Sequence, residues 1–231
     1  EVGEMVVDAM AQQRELFRQA WGSLLPYKPR AILFGDLEAW EEWQITVVNP
    51  RVLGTTSSDW GATVQRVSGT DYHDLAYGTV PHEIAHIYQD EFVGFLPVSW
   101  FNEGNATFFE ANQQYDYLAR VREIARSGRL PNLLEDAGPS IRGTNARDGY
   151  DIGYTFFLWL TETYGLEAHR ELMQLIRGGV GRNAALEQVT GLSLREIESR
   201  WRVWLGASET APTLAPTPTL FTFPTVTPFG R

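Results

Sequence analysis

Near the start of the chain, apolar residues recur at helical spacing: Val6, Met10, Leu16, Ala20 and Leu24 belong to a segment running from Met5 to Leu25. Pro26 and Pro29 are expected to end it, because proline lacks the backbone donor that a continuing helix needs. The pattern then shortens. Arg30 to Phe34 (RAILF) reads as a strand, and Asp36 can cap a helix through about Trp43. Gln44 to Asn49 (QITVVN) and Ala62 to Val67 (ATVQRV) are rich in the β-branched residues that suit a pleated surface. Between these two runs, GTTSSDWG is polar and is expected to turn. Residues 1–79 thus predict a small sheet accompanied by helices.

From about Thr79 the pattern is mostly helical. The expected helices are Val80 to Phe92, Phe101 to Ser127, Tyr150 to Tyr164, Glu167 to Ile176, Asn183 to Gln188 and Leu194 to Leu205. In the last of these, Trp201 and Trp204 fall at helical spacing and are expected to pack as core. A long break, SGRLPNLLEDAGPSIRGTNARDG, separates the second helix from the third. Its Pro, Gly and Asn content predicts a loop, and loops of that length are often functional. Residues 206–231 change character: threonine and proline dominate, charge nearly vanishes, and the repeated prolines forbid helix and central strand. This stretch reads as an extended tail or linker, of the kind that tethers a domain to an anchor or a further module.

The composition narrows the possibilities. The net charge of -10 excludes the basic face of a nucleic-acid binder. No run is apolar for long enough to cross a membrane. With no cysteine, disulfides, thiolate nucleophiles and cysteine-based zinc sites are all excluded. Any metal must therefore be held by histidine and carboxylate, and the chain has four histidines: His73, His82, His86 and His169. An acidic, cysteine-free domain with a Thr/Pro tail suits an extracellular or cell-surface protein.

Two of those histidines carry a motif. Pro81 to His86 reads PHEIAH, which contains HExxH. On a helix, residues four apart share a face, so His82 and His86 can address one ion while Glu83 reaches a water on it. HExxH arises by chance in roughly one chain in a hundred of this length. Here Ile84, Ala85, Ile87 and Tyr88 make the segment apolar and its helix largely buried, and buried histidines and a buried glutamate need partners. A catalytic zinc keeps three protein ligands and an open position. The candidate third ligand is Glu103 in SWFNEGNATFFE, 17 positions after His86. A carboxylate at that place also suits the positive end of a helix, so a purely structural role is the competing explanation. His73 and His169 sit at no recognised ligand spacing.

HEIAH, WFNEGNATFFE, YDIGYTFFLWLTETYG and ALEQVTGLSLREIESRWRVWL together resemble the peptidase MA-like gluzincins, relatives of thermolysin and aminopeptidase N. The resemblance covers roughly Arg30 to Leu205. It implies an α+β, zincin-like fold, with a small N-terminal sheet and its helices over a mainly helical C-terminal half, in one domain over 1–205. It implies a Zn2+ held by His82, His86 and Glu103, and hydrolysis of a peptide or protein substrate through a zinc-bound water, with Glu83 as general base. It also assigns Tyr150, which opens Tyr-Asp-Ile-Gly, as stabiliser of the oxyanion, with Tyr154 one turn further in reserve. Groups orienting the histidines are expected, with Thr107 and Glu110 as candidates. The Gly-x-Met-Glu-Asn segment that grips a free amino group in aminopeptidases has no counterpart; the nearest stretch, SSDWGATVQ, lacks the glutamate. An open-ended cleft follows, in which the strand Ala62 to Val67 pairs with an extended peptide. Two other readings compete: a zinc-binding but non-proteolytic or peptide-binding domain, and an acidic interaction domain in which HEIAH is coincidental.

Overall fold

A computed structural model of the chain describes residues 1–43, 54–94, 96–97, 99–134, 138–142 and 146–207. The expected strand at 44–49 and the Thr/Pro tail from 208 onward lie outside the described residues. The described chain is mixed α/β and mostly helical. Helix α1 (Val2–Trp21) is followed by β1 (Arg30–Phe34), α2 (Leu37–Trp43), β2 (Gly54–Ser57) and β3 (Ala62–Arg66). Then come α3 (Val80–Val93), α4 (Trp100–Phe108), α5 (Tyr117–Arg126), α6 (Arg147–Tyr164), α7 (Leu166–Arg177), α8 (Arg182–Thr190) and α9 (Leu194–Leu205). No helix among the described residues is long and apolar enough to cross a membrane.

Several boundaries depart from the sequence expectation, some for a local reason that the structure shows. Helix α1 stops at Trp21, ahead of the prolines, because Gly22 takes the left-handed conformation (φ 85°) that only glycine adopts at no steric cost. The stretch GTTSSDWG is not all turn: Gly54–Ser57 forms β2, and only Ser58–Trp60 coils into a 3₁₀ turn. Thr55 and Thr56 are β-branched and pair antiparallel with Val64 and Thr63 of β3. The expected helix from Phe101 to Ser127 is two. After α4, the backbone N–H groups of Ala111 and Asn112 donate to the Tyr77 carbonyl at 2.7 and 3.0 Å, and the Asp116 carboxylate caps α5 by accepting from Ala119 N at 2.8 Å. Finally, Asp74–Thr79 winds as a π-helical turn directly into α3.

The sheet has the order β1-β3-β2, with β1 parallel and β2 antiparallel to β3. Strand β3 is therefore central, and its two edges are already paired. This corrects the expectation that Ala62 to Val67 pairs with a peptide; among the described residues the edge strands are β1 and β2.

The core lies between α1 and the later helices. Phe17 and Trp21 stack on Tyr88 of α3 and on Phe109 after α4. Trp100 and Phe101 are buried core, whereas Trp60 is exposed. Trp201 is fully buried, while Trp204 is only partly so and carries Arg122 over its ring. The first part of the long break is likewise structural. Leu130, Leu133 and Leu134 are buried, and the buried Glu198 of α9 accepts from Leu133 N and Leu134 N. Arg202 donates to the carbonyls of Leu130 and Pro131. These contacts satisfy backbone groups that a buried loop would otherwise leave unpaired.

One crossing positions the chemistry. Helices α4 and α6 meet at Gly104 and Gly153. A Cβ on Gly104 would lie 2.3 Å from Gly153 Cα, and one on Gly153 would lie 2.3 Å from the Trp100 carbonyl oxygen. Only glycine on both helices allows backbones to touch this closely. The contact brings Glu103, beside Gly104, across from Tyr150, one turn before Gly153.

Candidate metal centre

Helix α3 carries Pro81 in its first turn; its missing N–H leaves the Tyr77 carbonyl to accept from Ala111 and Asn112. Ile84, Ala85, Ile87 and Tyr88 face the core. That places His82, Glu83 and His86 along the opposite side, in a cleft of about 790 Å³. Its walls include Gly54, Thr55 and Thr56 of β2, Glu103 of α4, and Arg147 and Tyr150 of α6.

His82, His86 and Glu103 each offer a ligand atom, and these atoms lie within 4.8 Å of one another. Both Nε2 atoms converge on one carboxylate oxygen, Glu103 Oε2, at 3.3 Å from His82 and 3.5 Å from His86. The arrangement favours positive charge between the three groups. Burial opposes a charge on His82, but the Glu103 and Glu110 carboxylates outweigh it and raise His82 to about 10. Glu103 is buried as well, which would raise it, yet the two histidines hold it well below the usual carboxylate range. Two imidazole nitrogens and one carboxylate oxygen on adjoining helices form a donor set that fits a borderline divalent cation such as zinc.

Each histidine has its outer nitrogen engaged, which leaves Nε2 for a ligand role. His82 Nδ1 donates to Glu110 Oε1 at 3.2 Å, and Tyr117 donates to the other Glu110 oxygen at 2.8 Å. Of the two orienting candidates, Glu110 thus takes the position. Thr107 instead donates to the Glu103 carbonyl of its own helix at 2.9 Å. His86 Nδ1 donates to Gln89 Oε1 at 2.8 Å. Gln89 is buried, and sequence reasoning passed over it, although three positions after His86 it shares a helix face with it.

Glu83 is held from the strand side. Thr56 Oγ1 lies 2.6 Å from Glu83 Oε2 and 2.8 Å from the Glu83 carbonyl oxygen. No motif marked Thr56, since its role depends on the pairing of β2 across the sheet. Tyr150 lines the cleft and stacks on His82 at 6.0 Å between ring centroids. Burial holds its phenol well above the ordinary range, reinforced by the charges of Glu103 and Glu83 and by its hydrogen bond to Glu103, so the hydroxyl stays a donor. Tyr154 packs against Tyr117 instead and does not line the cleft. Arg147 crosses the rings of Tyr117 and Tyr150 and pairs with the fully buried Asp151 at 2.9 Å.

The other histidines stand apart. His73 stacks on Tyr77 near the surface. His169 is fully buried among aromatic rings, and burial lowers it to about 4, so it is neutral. No protein family, curated protein or solved structure compared with the chain matches it.

Proposed function

We propose that this chain is a zinc metallopeptidase of the gluzincin type, with a zincin-like fold, in which His82, His86 and Glu103 hold the metal. The observation that carries the reading is the convergence of both Nε2 atoms and the Glu103 carboxylate in one cleft, with Glu83 and Tyr150 on its walls. Zinc, when bound, polarises a peptide carbonyl and makes water a nucleophile near neutral pH. Glu83 takes the proton from water and passes it to the leaving amine. Thr56 occupies one oxygen of Glu83 and leaves the other for that transfer. Tyr150, kept protonated by burial and by its acidic neighbours, donates to the developing oxyanion. The outer edge of β2 borders the cleft and suits an extended peptide joining as a further strand.

Zinc content and hydrolysis of an unfolded protein test this together. About one zinc per chain is expected in the wild type and sharply less in Glu103→Ala. Glu83→Gln is expected to keep the zinc and lose turnover. Near-normal activity in that variant would defeat the mechanism, and zinc-free wild type prepared without chelator would defeat the reading as a whole.

A further inference from the structure

Behind His86 lies a chain of hydrogen bonds with one allowed direction. At its far end, the Ala20 carbonyl of α1 can only accept, so His169 Nδ1, 2.9 Å away, must carry the hydrogen. A neutral imidazole with Nδ1–H has a bare Nε2. Asn105 Nδ2, 2.7 Å from that nitrogen, therefore donates to it, which turns Asn105 Oδ1 toward Gln89. Gln89 Nε2 donates to Asn105 Oδ1 at 3.0 Å and to the backbone carbonyl of Asn102 at 2.9 Å. That orientation leaves Gln89 Oε1 toward His86, where it accepts from His86 Nδ1 at 2.8 Å and also from Asn102 Nδ2. In neutral His86, Nε2 is then bare and faces Glu103 across 3.5 Å, two acceptors that a shared cation would satisfy.

We propose that Gln89, Asn105 and His169 are positioning residues: a directional relay, anchored on two backbone carbonyls, that locks His86 in the only tautomer able to bind a metal through Nε2. This rests on the reading of His86 as a metal ligand. Reversing any one member sets two donors or two acceptors face to face in a buried site, where each mismatch carries the full desolvation penalty. Gln89, Asn105 and His169 are all buried, so water cannot relieve such a mismatch. His169 belongs to α7 and Ala20 to α1, so the relay ties the metal helix α3, through Asn105 of α4, to both of them. The two histidines are thereby oriented by different chemistry. His82 leans on the Glu110 carboxylate, while His86 leans on a neutral amide whose direction is set elsewhere.

The relay is strongest at Gln89, where the Asn102 carbonyl anchors the amide directly, and weaker at His169, which acts through Asn105. Gln89→Leu is therefore expected to weaken zinc binding by about 10–100-fold, and His169→Phe by less. Gln89→Glu retains an acceptor for His86 but sets its other oxygen against the Asn102 carbonyl and Asn105 Oδ1, so it is expected to keep hydrogen on His86 Nδ1 while recovering only part of the affinity. Chelator competition on the purified full chain reads these differences. Nitrogen-15 NMR of the metal-free chain, recorded above the range in which imidazoles are protonated, reads the tautomer directly. Wild type and Gln89→Glu are expected to show His86 with hydrogen on Nδ1, and Gln89→Leu to lose that preference. Hydrogen on Nε2 in the wild type, or unchanged zinc affinity in Gln89→Leu, would overturn the relay. If Gln89→Leu fails to fold, the tautomers of wild type and Gln89→Glu still decide it. A wild type that binds no zinc yet carries hydrogen on Nδ1 would sink the metal reading and uphold the relay.

Discussion

The cleft has two unlike walls. The helical wall, α3 with α4 and α6, is built on a direct backbone contact between Gly104 and Gly153, and it holds buried polar side chains at His82, Gln89, Asn102, Glu103 and Asn105. The strand wall is β2, four partly buried residues at the edge of the sheet that the described residues form. The helical wall supplies the three ligand candidates, Glu83 and Tyr150; the strand wall supplies one hydroxyl, on Thr56. A face that gathers the ligand candidates is thus set against a strand that is at the sheet edge among the described residues. Metal sites tolerate little displacement of their ligands, whereas a groove for an extended peptide needs an unpaired strand edge.

The most damaging way to break the helical wall is a single methyl group at its crossing. Gly153→Ala would gain about 1 kcal/mol from helix propensity. The new Cβ, however, would lie 2.3 Å from the Trp100 carbonyl oxygen and 2.8 Å from Gly104 Cα, both backbone atoms that no rotamer change can move. We expect a net loss of about 3 kcal/mol or more, read as a lower denaturant midpoint. Gly3→Ala in α1, where an added Cβ meets nothing within 4 Å, is the control and is expected to lose nothing. Equal effects at the two positions would mean that the crossing is not tight.

Next in size is Tyr150. Tyr150→Phe removes the proposed oxyanion donor and keeps the ring beside His82, and kcat is expected to fall by about 10²–10³ with zinc retained. Tyr154→Phe is expected to be far milder, because that hydroxyl lies away from the cleft. The reverse ranking would move the oxyanion role one turn along α6.

The contrast between the walls also explains how much of the site is legible in the sequence. The ligand candidates are legible because helical spacing is a strong local constraint: His82, Glu83 and His86 lie within one turn and a half, and Glu103 follows in an apolar helix. Gly104 and Gly153 stood in the quoted motifs, but their purpose becomes clear only when α4 and α6 meet. Gln89 had the right spacing from His86, yet a glutamine on a helix is ordinary, and only the carbonyls of Asn102 and Ala20 give it a direction. Thr56 carried no signal, since GTTS reads as turn until the pairing with β3 is known. The break at 109–116 was missed for the same reason: the Tyr77 carbonyl that captures Ala111 and Asn112 is remote in sequence.

Acid should act through His169, which lies on α7 behind the helical wall. Its surroundings are the rings of Trp21, Phe108, Phe109 and Phe157, the Asn105 amide and the Ala20 carbonyl, with no charged partner among them. Burial depresses it from 6.5 to about 4. Between these values the unfolded chain takes up a proton that the native chain refuses. Stability from this group is therefore complete above 6.5, falls as the pH drops through the interval, and levels off below 4. The full loss is on the order of 3 kcal/mol. His169→Gln can accept from Asn105 and donate to Ala20 without titrating. The difference in denaturation free energy between the two proteins across that interval should follow this curve. A wild-type slope no steeper than that of the variant would show that His169 ionises freely.

The strand wall is tested by the smallest change, Thr56→Val, which keeps the β-branched shape that suits β2 and removes only the hydroxyl. That hydroxyl lies 2.6 Å from a Glu83 carboxylate oxygen, and a hydrogen bond to a charged group contributes about 1.5–3 kcal/mol. Because β2 is partly exposed, water can replace some of it, so a fall in kcat of about tenfold is expected, with zinc content and stability nearly unchanged. Thr56→Ser keeps the hydroxyl and should recover most of the rate. If valine lowered zinc content as well, the strand would be supporting the ligands and the two walls would act as one unit. If valine changed nothing, Glu83 would be positioned by α3 alone, and the contribution of β2 would reduce to offering its edge to the substrate.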